Sequence, residues 1–389
     1  MIAPSQSSRR AVVFAPFFEP GFLAGGPIRS LVGIVDSLPP DVVATVVTRD
    51  RDLGQPHPYP GLSGRTVPRD RHEVMYLQPT RPRQWRLLFG QLKRGGRADV
   101  LYINSLWNLW FGFVPMALWF LGLLRAQQVV VAPRGQLSEG SLAINGQRKR
   151  ALLAVWRVLL RRPGVRVHAS TDMEAEDVRR ALPRAVTLVS MDPVPLPEKA
   201  LPRTQDSDVL QAVFVSRISP MKNLLAVGQA LRLCRGRVHL TIGGPAEDVA
   251  YWQRCQDDLR VVPSNVTVDY VGEVPANDVR SLFARSDVFV FPTRGENFGH
   301  VVAESLSASC PVVCGVGTPW EEEVLAAGGR LVRPDDVTAI AAVIDAFAAS
   351  SPAERRAQAE LAGHVYERWW RERDRSNVLV LALDGGSSS

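Results

Sequence analysis

Residues 294–306 read RGENFGHVVAESL, which sets Glu296 and Glu304 eight positions apart around Asn297, Phe298 and Gly299. The segment follows the apolar run DVFVF (287–291), and its pattern predicts a strand, a turn and a helix beginning near Phe298. Peptide N–H groups of Asn297 to His300 would then face an anion or a sugar hydroxyl. Glu296 would accept from hydroxyls just outside the helix, and Glu304 from a diol deeper along it. The plainer alternative is an acidic first turn that complements the helix dipole, with His300 no more than a ring at a helix start.

A second group lies upstream. FVSRISPMKNL (214–224) follows a strand-like run and brings Arg217 and Lys222 to a helix start across a Ser-Pro turn. Two cations beside exposed N–H groups form a pyrophosphate site, although a solvated basic loop has the same composition. In LTIGGPAEDVAYW (240–252) Gly243 and Gly244 would let a nucleoside approach the backbone, or simply make a tight turn.

These residues need strands to position them. AVVFA (11–15), VVATVV (42–47), DVLYIN (99–104), QVVVA (128–132) and VRVHA (165–169) alternate with helix-length segments, as βα units on a parallel sheet do. The Pro-rich stretch 193–197 and the polar residues after it interrupt the pattern. It restarts with LQAVFV (210–215), VHLTI (238–242), VTVDY (266–270) and DVFVF. Two doubly wound α/β domains follow from this, with ligands beyond the carboxyl ends of the strands and a cleft between the domains.

At 389 residues, 46% hydrophobic and 22% charged, the chain is expected to be globular with about two domains. Residues 1–200 carry 27 Lys and Arg against 15 Asp and Glu, while 201–389 carry 19 against 24. The basic first half should face an anionic membrane surface or a phospholipid-linked substrate. Four cysteines without metal spacing, and no signal peptide before Ala11, suit a reduced cytoplasmic setting. The terminal GGSSS reads as a disordered tail. Leu106–Leu124 is uncharged over nineteen residues but holds Asn108, Gly112 and Pro115, so it is either a buried helix or an interfacial one. In 147–166, Arg150, Arg157 and Arg161 form a stripe opposite Leu152, Val155, Trp156 and Leu159; this face either docks on anionic lipid or covers a core.

In this order and spacing the motifs resemble the nucleotide-sugar half of retaining GT-B glycosyltransferases of family 4, a fold of two Rossmann-like doubly wound domains facing a central cleft. NSLW (104–107), APRGQLSEGSLAI (132–144), HASTDMEAEDV (168–178) and GTPW (317–320) look more narrowly like the bacterial O-antigen and exopolysaccharide branch. The resemblance implies an N-terminal acceptor and membrane-facing domain (1–195), a nucleotide-sugar domain (205–362) and a C-terminal helix (363–383) crossing back to the first. Glu304 is similar to the glutamate that binds the nucleotide ribose, and Glu296 to the one that holds donor-sugar hydroxyls. Arg217 and Lys222 resemble the pair that neutralises the departing diphosphate, so these two and Glu296 form the expected catalytic group, with no metal and no cofactor. Gly25 and Gly26 in FLAGGPIRSL (22–31) look like the glycine loop that closes over donor phosphate and acceptor, with Arg29 as a helper. Simple turn geometry before a helix gives the same glycines.

Retention by double displacement needs a carboxylate nucleophile, and no side chain is an obvious one. The resemblance implies front-face substitution, in which a diphosphate oxygen helps remove the acceptor proton and the cations stabilise the leaving group. Asn104, Ser105, Arg134 and Glu139 follow strands and are the acceptor candidates; Arg134 could equally pin its own turn. His168 opens a stretch whose Thr171 and Glu174 form a capping box, a structural feature. Ser309-Cys310-Pro311 and Gly315-Val316-Gly317 depart from the family pattern close to the expected donor pocket. The expected reaction moves a hexose-type sugar from a UDP- or GDP-linked donor to a polyprenyl-diphosphate-linked glycan at the inner face of the cytoplasmic membrane.

Rival readings fit less of the chain. Asp50-Arg51-Asp52 would suit a metal-dependent transferase of the other fold but reads as a solvated loop. No G-x-G-x-x-G follows the first strand, against a dehydrogenase. A sugar-nucleotide 2-epimerase and a catalytically silent membrane scaffold remain alternatives, and no stacking array accompanies the basic helices to suggest nucleic acid.

Overall fold

A computed structural model describes residues 9–143 and 146–385. The chain divides into two compact units, one of residues 1–195 together with the segment from Asp374 on, the other of Leu196–Arg373.

The first unit is an eight-stranded sheet of β1 (Arg9–Phe14), β2 (Val42–Arg49), β3 (Thr66–Pro68), β4 (His72–Leu77), β5 (Ala98–Ile103), β6 (Ala126–Val131), β7 (Val165–Ala169) and β8 (Val186–Val189). Their order is β3-β4-β2-β1-β5-β6-β7-β8, parallel throughout except for the antiparallel pair β3 and β4. Helices cover both faces, so neighbouring residues of one strand enter different cores: Val12 and Phe14 one, Ala11 and Val13 the other. That explains the unbroken apolar runs. β1 lies between β2 and β5, so the order reverses at its carboxyl end, and both the loop to Gly25 and the turn at Asn104 emerge there.

The second unit holds β9 (Leu210–Val215), β10 (Val238–Gly243), β11 (Val266–Tyr270), β12 (Val288–Phe291), β13 (Val312–Gly315) and β14 (Arg330–Val332), in the order β11-β10-β9-β12-β13-β14 and all parallel. This is a doubly wound sheet whose order reverses between β9 and β12. The turns carrying Arg217, Lys222 and Glu296 follow those two strands.

One expectation changes and two open readings narrow. The C-terminal helix is not continuous over 363–383: one helix spans Pro352–Glu372, opened by a full capping box at Ser351 and Glu354, and a second spans Val378–Asp384. The second is capped by Asn377, and its Val378, Leu379 and Ala382 enter the core of the first unit. Residues 106–124 form a broken helix, Leu109–Phe113 then Val114–Phe120, with Phe111 and Met116 buried and Leu121 and Leu123 exposed. Among the described residues no single helix is long and apolar enough to cross a membrane. In the helix Gly146–Leu159 Trp156 is fully buried and donates from Nε1 to the Leu106 carbonyl at 3.1 Å, so that ring faces the core and not a lipid surface. Val155 and Val158 are exposed on the same helix. Residues 386–389 of the GGSSS tail, and Ile144 of the 132–144 motif, lie outside the described residues.

Candidate functional site

In the second unit, the turns after β9 and β12 are stitched together by the backbone. Arg294 N–H donates to the Met221 carbonyl at 2.9 Å and Thr293 Oγ1 to the same oxygen at 3.2 Å. Asn223, left-handed at φ 63° and buried, donates from Nδ2 to the carbonyls of Pro292 (3.1 Å) and Pro334 (2.6 Å). Lys222 is thereby delivered to Glu296: Nζ and Oε1 form a close ion pair, with the side chains only 13% and 11% exposed. The ammonium also stands 5.5 Å from the Phe291 ring centroid. Arg217 pairs with a carboxylate as well, its Nη1 donating to both oxygens of Glu247 at 2.8 and 2.9 Å.

The glycine turn after β10 is built for close approach. A Cβ on Gly244, at φ 133°, would fall 1.9 Å from the Ser216 carbonyl, and Ile218 N–H donates to the Pro245 carbonyl at 2.8 Å. This turn therefore carries Glu247 to Arg217. The helix expected from Phe298 begins two residues later, at His300, and runs to Leu306. Gly299, at φ 84°, is its N-cap, and a Cβ there would meet the Trp320 ring at 3.0 Å. Trp320 Nε1 donates to the Phe298 carbonyl, and the Phe298 ring packs 4.7 Å from His300 and 5.8 Å from Trp320. Phe298 and His300 are thus buried parts of the frame, while Asn297 and Glu304 are partly exposed.

In the first unit, Arg134 is engaged inside. At φ 56° it donates from Nε to Asn104 Oδ1 (2.7 Å), from Nη1 to Asp192 (2.5 and 2.6 Å) and from Nη2 to the Tyr102 hydroxyl (2.9 Å). Tyr102 in turn meets His168 Nδ1 at 2.8 Å, and His168 Nε2 meets the Ser190 carbonyl at 2.8 Å. A carbonyl only accepts, so Nε2 carries a proton. Burial and the nearby Arg134 guanidinium hold the His168 pKa below its ordinary value. Asp192 also takes the hydroxyl of Ser30, on the helix Gly26–Asp36 that follows the glycine loop. The loop's Gly25 takes φ 68° as N-cap of that helix, and burial lowers the pKa of Arg29 within it. Ser105 is buried against Gln136 Nε2 (3.3 Å), whereas the exposed Glu139 pairs with Arg180 at 3.1 Å.

Two family models cover most of the chain. "Glycosyl transferase 4-like domain" matches residues 25–191 and "Glycosyl transferases group 1" matches residues 201–363. The chain belongs to the family 4 glycosyltransferases. This glycosyltransferase is 33% identical over 139 residues to the O-antigen chain mannosyltransferase B of Escherichia coli; the match spans 34% of this chain and about a third (35%) of that relative. Among solved structures it is similar to Anabaena HepE in complex with UDP-glucose, at 18% identity and TM-score 0.68 over 97% of this chain and 98% of that one. WaaG, a glycosyltransferase involved in lipopolysaccharide biosynthesis, gives 16%, 0.61, 98% and 100%. Sucrose-phosphate synthase of Thermosynechococcus elongatus gives 18%, 0.65, 97% and 97%. The fold is GT-B.

Several expectations are corrected on this glycosyltransferase. Asp50-Arg51-Asp52 is no solvated loop: both aspartates are buried, Asp50 accepting from Ser63 Oγ at 2.6 Å and Arg51 Nε at 3.0 Å. The capping box at Thr171 is half formed, because Glu174 turns to Ser170 and to the Gly135 N–H (2.6 Å) instead of its own cap. Of the two readings left open for Arg134, acceptor contact or turn pin, its bonds to Asn104, Asp192 and Tyr102 fit the second. Ser309 adopts φ 56°, the left-handed backbone that a glycine takes without strain. Gly315 departs from the family pattern for a local reason, since a Cβ would fall 2.0 Å from the Thr293 carbonyl. Asn223 and Glu247 were not foreseen. For Glu247 the signal was its place three residues after Gly244; Asn223 had none. Among the described residues no three His, Cys, Asp or Glu side chains gather to hold a metal.

Proposed function

We propose that this glycosyltransferase moves a hexose-type sugar, with retention, from a UDP- or GDP-linked donor to a polyprenyl-diphosphate-linked glycan during bacterial surface-polysaccharide synthesis. It works at the inner face of the cytoplasmic membrane and without a metal. The observation that carries the reading is the convergence of Lys222, Glu296, Arg217 and Gly244 on the carboxyl ends of β9, β10 and β12, where a doubly wound sheet binds nucleotides. The names of the O-antigen mannosyltransferase relative and of the UDP-glucose complex support substrate and donor class.

In this reading the donor diphosphate takes over the cations that Glu247 and Glu296 now hold. Arg217 and Lys222 stabilise charge as the diphosphate leaves, and Glu296, released from the lysine, accepts from sugar hydroxyls while Glu304 accepts from the ribose diol. A diphosphate oxygen removes the acceptor proton on the face it departs from. The basic first unit and its exposed Leu121, Leu123, Val155 and Val158 support a peripheral membrane position. Thermal unfolding with UDP, GDP, UDP-glucose and GDP-mannose tests the donor, followed by nucleotide release with and without a lipid-linked acceptor. One nucleotide series should raise the melting temperature and be released faster with acceptor; no shift with any of them would refute the assignment.

A further inference from the structure

We propose that Asp52 is a positioning residue for sugar transfer, holding the loop that carries Gly25 and Gly26; the inference rests on the reading of that loop as part of the transfer site. The loop leaves the carboxyl end of β1, and Asp52 follows the neighbouring β2. One carboxylate oxygen of Asp52 accepts from the N–H groups of Phe22 (2.8 Å) and Leu23 (3.1 Å), the other from Leu53 N–H at 2.8 Å. The side chain is buried and among the described residues no cation pairs with it; the adjacent Arg51 is spent on Asp50 and the Pro56 carbonyl.

A carboxylate buried without a counter-ion is costly, and here its charge is met by peptide N–H groups alone. Its bonds all fix backbone, two of them within four residues of Gly26. The contact is close: a Cβ on Gly21 would fall 3.0 Å from Asp52 Oδ1 and 2.3 Å from the Tyr59 hydroxyl oxygen. The bracket behind Asp52 is itself fastened, with the Asp50 carbonyl accepting Tyr59 N–H at 2.7 Å and its carboxylate accepting Ser63 Oγ at 2.6 Å. A second tie comes from β4, where the Tyr76 hydroxyl donates to the Glu19 carbonyl at 2.6 Å. The loop is therefore held before the glycines on two sides, and Phe22 projects outward from the fastened stretch, 64% exposed. Releasing amides 22 and 23 would let Gly25 and Gly26 wander while leaving Arg217, Lys222, Gly244, Glu296 and Glu304, which belong to the second unit, untouched.

Asp52→Ala and the isosteric Asp52→Asn test this, with Glu73→Gln as control. Glu73 is another carboxylate of the same sheet, bonded to Thr45 and Gln91 and not to the loop. Hydrogen exchange at Phe22 and Leu23 should speed at least about 10-fold in D52A. Turnover should fall on the order of 100-fold, as misplacement near 1 Å does, and by much more than the donor KM or the nucleoside diphosphate affinity changes. D52N, keeping one acceptor oxygen, should fall between, and E73Q should keep its turnover. Undiminished turnover in D52A, or loss only in proportion to unfolded protein, overturns the proposal. If the unaltered chain transfers no sugar from any donor, the transferase reading fails instead; Asp52 is then judged by amide exchange, where unchanged rates at Phe22 and Leu23 in both variants overturn it.

Discussion

Lys222 and Glu296 lie 74 residues apart in the chain and form an ion pair at the mouth of the second sheet, each side chain almost out of water. Removing one partner leaves the other charged and buried, a cost of about 3 kcal/mol. Lys222→Met and Glu296→Leu should each destabilise by that amount in urea, and the double variant should recover most of it. All three should lose at least about 100-fold in turnover. Recovery of activity together with stability in the double variant would show the pair to be only structural.

Arg217 is partly exposed and held by Glu247, a pair worth about 1 kcal/mol at most. A diphosphate must compete with that carboxylate. Glu247→Gln should therefore tighten nucleoside diphosphate binding by up to about 5-fold in calorimetry, while Arg217→Ala should weaken it and cut turnover. Unchanged binding in E247Q would mean that the arginine does not meet the phosphates.

Gly244 and Gly317 separate space from backbone strain. Both take positive φ, but a Cβ on Gly317 meets nothing within 4 Å, whereas on Gly244 it strikes the Ser216 carbonyl. Gly317→Ala should cost about 1 kcal/mol and leave kinetics intact. Gly244→Ala should cost more than about 3 kcal/mol and displace the Arg217 turn, read as a lower melting temperature and a raised donor KM.

His168 makes the first unit acid-sensitive. Its folded pKa is lowered, so its neutral form is the native one and its contribution is complete above the unfolded value near 6.5. As pH falls below about 6.5 the unfolded chain takes up a proton that the folded chain refuses, and stability declines. The groups facing the ring are Tyr102, Arg134, Asp192 and Glu174. Melting temperature between pH 5 and 8 should drop on the acid side, and His168→Gln should flatten that slope while lowering the plateau.

Most sheet strands buried on both faces were legible because each is a run rich in β-branched residues, and the site turns because glycines and charges follow such runs directly. Five strands were not: β3, β8 and β14 are edge strands of three or four residues, and Thr66–Pro68 even contains a proline, while β4 (HEVMYL) and β13 (VVCG) are interior strands with few β-branched residues. Side-chain partners were not legible. Asp52 read as a solvated loop residue and Arg134 as an acceptor contact or a turn pin, because their partners are backbone amides and a distant carboxylate that only the folded chain brings near. Trp156 left two readings open, since an amphipathic helix looks the same whether its apolar face meets lipid or its own domain.

The segment from Asp374 on has a consequence for the order of synthesis. Asn377 Nδ2 donates to the Ile34 carbonyl at 2.6 Å, and Leu379 and Ala382 fill the core beside Leu31 and Val35. A ribosome therefore releases the last pieces of the first unit only after the whole of the second has emerged. Until then the nascent first unit leaves apolar surface over β5 and β6 uncovered, and expression of residues 1–195 alone would leave it so permanently.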